Sequence, residues 1–88
     1  MPNVADLDRE SELPVYRQVA AWIVRRIENG ELQPRRPIPS EKTLGQEFPG
    51  VARTTIRRAV AYLRDKGMVY TVPQRGSFVT PPEDRPAD

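Results

Sequence analysis

Over residues 14–29, Tyr16, Val19, Ala20, Ile23 and Ile27 recur at three- and four-residue spacing. At 100° per residue this lays them in one stripe and predicts an amphipathic helix. Pro14 suits the first helical turn, where its missing amide hydrogen costs nothing, and Gly30 follows as a stop. Val15 and Trp22 lie beside the stripe. The simpler reading is that they complete the core or pack under the N-terminal arm near Leu7 and Leu13, and the sharper one is that they form part of a dimer contact. Residues 32–39 hold three prolines and read as an extended connector. A second, short helix is expected over residues 41–48. Leu44 and Phe48, four apart, form its dry side, and Ser40 is placed to cap it with Glu41 in the first turn.

Pro49-Gly50 breaks the chain, and a third helix is expected over residues 53–66, ended by Gly67. Ile56, Ala59, Val60 and Leu63 fall within an arc of roughly 100°. Thr54, Arg57, Arg58 and Ala61 fall on the opposite side. Residues 68–72 and 77–80 are two β-rich runs around Pro73-Gln74-Arg75-Gly76, which predicts a hairpin with Gln74, Arg75 and Gly76 at its tip. The expected organisation is an N-terminal arm over residues 1–13, a folded unit over 14–80 and a polar tail over 81–88.

Charge sharpens this picture. The 88 residues carry a net charge of +2, but residues 35–80 hold nine basic side chains against three acidic ones. Residues 1–12 carry a net −3 and residues 81–88 a net −2. A basic middle with acidic ends fits a polyanion-binding body. The chain has no cysteine and no histidine. That removes the thiolate metal site, the commonest general base and the commonest metal ligand. No carboxylate spacing suggests a catalytic pair, so the expectation is a protein that is not an enzyme and takes no cofactor or metal. The longest apolar-rich stretch, residues 19–24, is far too short to span a bilayer. With an acidic and not a basic N-terminus, a cytoplasmic, nucleoid-associated protein without a membrane partner is expected.

A helix with one dry face and one face of guanidinium, hydroxyl and small side chains suits insertion into a nucleic-acid groove. Arginine can take guanine bidentately or hold phosphate, threonine suits phosphate or a thymine methyl, and alanine lets the backbone approach. Taken alone, the same face could equally be an ordinary solvated one. The order of elements favours the sharper reading without settling it: a mainly α fold of three helices with a small β-hairpin, that is, a winged helix-turn-helix. Winged helices also serve as protein-interaction modules, so binding to an acidic protein partner is the alternative function.

The residues themselves resemble the DNA-binding domain of the GntR family of bacterial transcription regulators. The likeness is carried by Tyr16-Arg17-Gln18-Val19, Ile38-Pro39-Ser40-Glu41, Leu44, Phe48, Val51-Ala52-Arg53-Thr54-Thr55-Ile56-Arg57, Leu63, Lys66-Gly67 and Arg75-Gly76-Ser77-Phe78-Val79. It implies a homodimer on double-stranded DNA, reading a short pseudo-palindromic operator as a repressor. It further implies phosphate contact at Lys42, base contact at Arg53 and Arg57, and hydroxyl contacts at Thr54 and Thr55. At the wing, Gly76 would allow close backbone approach to the minor groove, with Arg75 supplying charge. Three positions depart from the family pattern. Pro49 lengthens the turn between the second and third helices, Ala52 stands where Ser or Thr often caps the third helix, and Gln74 stands where glycine is frequent. Family members usually carry a C-terminal effector domain. Residues 81–88 are too few to build a ligand pocket, so no small-molecule effector site is expected within this chain.

Overall fold

The computed structural model describes residues 13–86. The expected arm, apart from Leu13, and the last two residues of the expected tail lie outside the described residues. Three helices, α1 (Val15–Glu28), α2 (Glu41–Glu47) and α3 (Arg53–Asp65), precede an antiparallel hairpin of β1 (Val69–Val72) and β2 (Gly76–Val79). This is the winged helix-turn-helix arrangement.

The dry stripes of α1 and α3 become the core. Val19, Ala20, Ile23 and Ile27 of α1 and Ile56, Ala59 and Leu63 of α3 are buried together with Leu44, Phe48, Ile38, Val69 and Val79. Trp22 joins this cluster from its rim, edge-on to Phe48 with ring centroids 5.1 Å apart. Arg26 lies over the Trp22 ring, 4.0 Å from its centroid. Val15 also packs against the core. Both residues beside the α1 stripe therefore complete the core, while the part of that reading involving Leu7 lies outside the described residues.

Each helix end has a local cause. The Ser40 hydroxyl accepts the Thr43 amide at 3.1 Å and so caps α2. Ala52 precedes α3 without any side-chain cap. At the far end of α3, Gly67 N–H bonds Arg64 O at 3.0 Å and Met68 N–H bonds Leu63 O at 2.9 Å. These two bonds form a Schellman stop, with Gly67 at φ +77°.

The connector after α1 is more than a linker. Arg35 and Ile38 donate their amides to Val79 O and Ser77 O at 2.8 and 2.9 Å, and Arg36 O accepts from Val79 N–H at 2.9 Å. Pro37 forms a bridge with Phe78. The first half of the expected extended connector is instead a turn at Gln33-Pro34-Arg35-Arg36, closed by Arg36 N–H to Gln33 O at 3.1 Å with Arg35 at φ +64°, and an edge position tolerates prolines, which cannot donate. This bridged segment ties the base of the hairpin to the start of α2.

Beyond β2 the chain stays on the body. Thr80 N–H bonds Met68 O at 3.1 Å, Pro81 is buried, and a 3-10 turn follows at Pro82–Asp84. The Arg85 guanidinium Nε donates to Thr80 O at 2.9 Å. Pro86 comes so close to Gly67 that a Cβ there would lie 2.6 Å from the proline Cδ.

Candidate nucleic-acid interface

Because α3 gives its apolar side to α1 and α2, its other side is left to solvent. Arg53, Thr54, Arg57 and Arg58 are all exposed, and Thr55 is half-buried between the two faces. These side chains lie along the first half of the helix. A guanidinium on such a face offers a planar fork of donors.

The α2 flank of this face is set by the turn Phe48-Pro49-Gly50-Val51. Val51 N–H bonds Phe48 O at 3.1 Å, proline stands second, and Gly50 stands third at φ +86°. That is the pattern of a type II turn, which needs a positive φ at its third residue. Pro49 is thus absorbed as the second residue of a regular turn, between the fully buried Phe48 and the half-buried Val51. The turn brings the start of α2 beside α3. Lys42 is exposed there, and Glu41 reaches across to accept a hydrogen bond from Arg57 Nη2 at 3.4 Å. An exposed pair of this kind adds little stability, about 0–1 kcal/mol, but it restrains where the Arg57 fork points. Sequence reading gives Glu41 only a place in the first turn of α2. Its partner lies sixteen residues away, and no local pattern reports that.

On the other flank, Arg58 lies over the ring of Tyr16 in α1, 4.1 Å from its centroid. Tyr16 in turn meets Tyr62 edge-on at 5.8 Å, and Arg17 covers Tyr62 at 4.6 Å. Arg58 is therefore held against α1, not waving freely, and the start of α1 borders the exposed face of α3.

The wing differs from its sequence reading in one respect. Gly76 opens β2 opposite Val72, so it is not at the apex. The apex is the turn Val72-Pro73-Gln74-Arg75, closed by Arg75 N–H to Val72 O at 3.0 Å, with Gln74 third at φ +66°. Proline second and a positive φ third again mark a type II turn. Gln74, Arg75 and Gly76 are exposed. The proline could have located Gln74 at the third position from sequence, but the glycine three residues on drew the apex toward itself. Behind the tip the hairpin is stiffened by stacked Tyr70 and Phe78 rings, 5.7 Å apart, and by the Thr71 and Ser77 hydroxyls at 3.1 Å.

The structure thus places Arg53, Thr54 and Arg57 on one exposed helix face, Lys42 on its α2 flank, and Arg75 and Gly76 on the separate wing. Among the described residues there is no cluster of acidic, histidine or cysteine side chains that could hold a metal ion, and no helix is long and apolar enough to cross a membrane.

Comparison with known proteins agrees with this fold. Residues 15–79 match the family model for bacterial regulatory proteins, gntR family. The chain is 37% identical over 78 residues to the HTH-type transcriptional repressor NagR of Bacillus subtilis, covering 89% of this chain and 32% of that repressor. Among solved structures, the AraR DNA-binding domain in complex with operator ORR3 superposes with a TM-score of 0.73 at 42% identity, over 84% of this chain and 88% of that one. YtrA from Sulfolobus acidocaldarius, a GntR-family transcription factor, superposes with a TM-score of 0.69 at 36% identity, over 85% of this chain and 62% of that one. The chain spans about a third or less of the length of the curated relatives it matches.

Proposed function

The chain belongs to the gntR family of bacterial regulatory proteins, and from that premise we propose that it is the operator-reading part of a transcriptional repressor. The observation that carries the proposal is the exposed α3 face, with Arg53, Thr54 and Arg57 aligned on a helix that is anchored on its opposite side by Ile56, Ala59 and Leu63. In this reading α3 lies in the major groove. Arg57 takes a guanine edge, Arg53 a base or a phosphate, and Thr54 and Thr55 the adjoining backbone. Lys42 holds phosphate from the α2 side. Arg75 and Gly76 bring the wing to the flanking backbone or minor groove. The likeness to a domain solved on operator DNA, and the repressor names of several relatives, support this reading over an acidic-protein partner. A pseudo-palindromic site bound by two copies follows from the same family, since a two-fold protein pair matches a two-fold site.

Selection from a random duplex pool tests the proposal, followed by titration of the recovered duplex at several salt concentrations. Log affinity should fall against log salt with a slope of about −4 to −5 per protomer, the release expected from four to six neutralised phosphates. Arg57→Ala should cost about 1–3 kcal/mol on the selected duplex and relax one position in each half-site. Lys42→Ala should weaken all duplexes alike and lower the slope by about one unit. Equal losses on selected and random duplexes for both variants would reduce α3 to an electrostatic platform.

A further inference from the structure

Two tyrosines and three cations meet where α1 lies against α3. Tyr16 and Tyr62 are edge-on, with centroids 5.8 Å apart. Arg58 lies 4.1 Å from the Tyr16 centroid, and Arg17 and Lys66 lie 4.6 and 5.6 Å from that of Tyr62. A cation over a ring is restrained in place, and a guanidinium there keeps edge donors for another partner. Among the described residues no carboxylate pairs with any of the three, the ion pairs there being Arg26 with Glu31 and Arg57 with Glu41. The seam is thus a held concentration of positive charge on the α1 flank of the α3 face.

The residues that precede α1 hold the opposite charge in a regular pattern. Asp6, Asp8, Glu10 and Glu12 stand at every second position. In an extended chain alternate side chains share one face, and two residues rise about 6.6 Å. That is close to the step between successive phosphates along a DNA strand. Arg9, the one base of residues 1–12, falls at an odd position and so on the other face. The segment joins the fold at Leu13 and Pro14, immediately before Tyr16 and Arg17. Such a tether keeps its effective concentration at the seam high.

We propose that residues 6–12 are an intramolecular mimic of a DNA strand, whose four carboxylates bind Arg17, Arg58 and Lys66 and are displaced by the backbone of a duplex that seats α3. The inference rests on the DNA-binding proposal above and adds to it an autoinhibitory contact within the chain. The contact lowers affinity for all duplexes alike, because it competes for cations that hold phosphate and leaves the base contact of Arg57 untouched.

The test combines Asp6→Asn, Asp8→Asn, Glu10→Gln and Glu12→Gln in the 88-residue chain. At about 0.05 M salt this neutralised chain should bind selected and random duplexes each about 5-fold more tightly, the sum of two or three exposed ion pairs. The gain should shrink below about 2-fold near 0.3 M salt as screening shortens. Adding Arg17→Gln and Lys66→Gln should also cut it below about 2-fold, since the carboxylates then lose their site. A full gain in that background would mean simple repulsion between the segment and the duplex, and would overturn the contact. An unchanged duplex affinity on neutralisation, with a loss for Arg17→Gln alone, would give the seam to the DNA backbone and overturn it too. A readout without DNA separates the two readings. At low salt, neutralisation should shift the NMR signals of the Arg17 and Arg58 Nε–H groups and leave that of Arg57 in place. Unmoved Arg17 and Arg58 signals would overturn the inference whether or not the chain binds DNA. Shifted signals in a chain that binds no duplex would keep the contact and sink the operator-reading proposal alone.

Discussion

The turn that joins α2 to α3 and the turn at the wing apex follow the same backbone path with opposite surroundings. The first is wedged between Phe48, which is 1% exposed, and Val51, which packs against the core. The second stands at the far end of a two-stranded ribbon with three successive exposed residues after Pro73. The inner turn sets the angle between α2 and α3 and therefore where Lys42 and Glu41 stand relative to Arg57. Its side chains act on the core. The outer turn supports nothing beyond itself, and its side chains face outward. One geometry is thus used once to fix an angle and once to present a surface.

The largest expected difference between the two lies in their anchors. Phe48→Ala should cost about 3–5 kcal/mol by chemical denaturation, because it empties a fully packed site and strips Trp22 of its ring partner. Pro73→Ala at the wing should cost less than about 1 kcal/mol, mostly through the freedom it returns to the unfolded chain. Comparable losses at the two sites would break the comparison.

A smaller effect probes the strained angle directly. Gly50→Gln gives the inner turn the residue that the wing carries. With open space around the added Cβ, the left-handed angle alone should cost about 1–2 kcal/mol. A loss below about 0.5 kcal/mol would mean that these turns accept side chains almost freely, Gln74 at the wing included.

The smallest effect concerns the helix that the inner turn feeds. Ala52 has the extended backbone of a cap, φ −63° and ψ 147°, but no side-chain acceptor. Ser40, before α2, has both. Ala52→Ser should raise stability by about 1 kcal/mol in thermal or urea unfolding. No gain would indicate that the first amides of α3 are already satisfied by water as well as a hydroxyl would satisfy them.

Much of the fold was legible because it is local. The stripes of α1 and α3, the Ser40 cap, the Gly67 stop and the two β-rich runs each depend on residues a few positions apart, where spacing and side-chain chemistry are sufficient. The exposed face of α3 was legible for the same reason, since burying Ile56, Ala59 and Leu63 leaves Thr54 and Arg57 outside. The apex of the wing was misplaced toward Gly76 because a glycine is a strong turn signal, although Pro73 had already set the third turn position at Gln74.

The sequence by itself determined which residues are wet and which are dry on each helix, and where each helix begins and ends, because a period of 3.6 and a capping hydroxyl act within one or two turns. Tertiary structure alone decided three other features. The proline-rich connector came to bridge the hairpin only because β2 offered it the Val79 and Ser77 carbonyls. Glu41 came to restrain Arg57 only because the inner turn folded α2 against α3. Arg58, though exposed, came to lie over the Tyr16 ring only because α1 packs beside α3. In each case the partner is many residues away along the chain, and its position exists only once the core has closed.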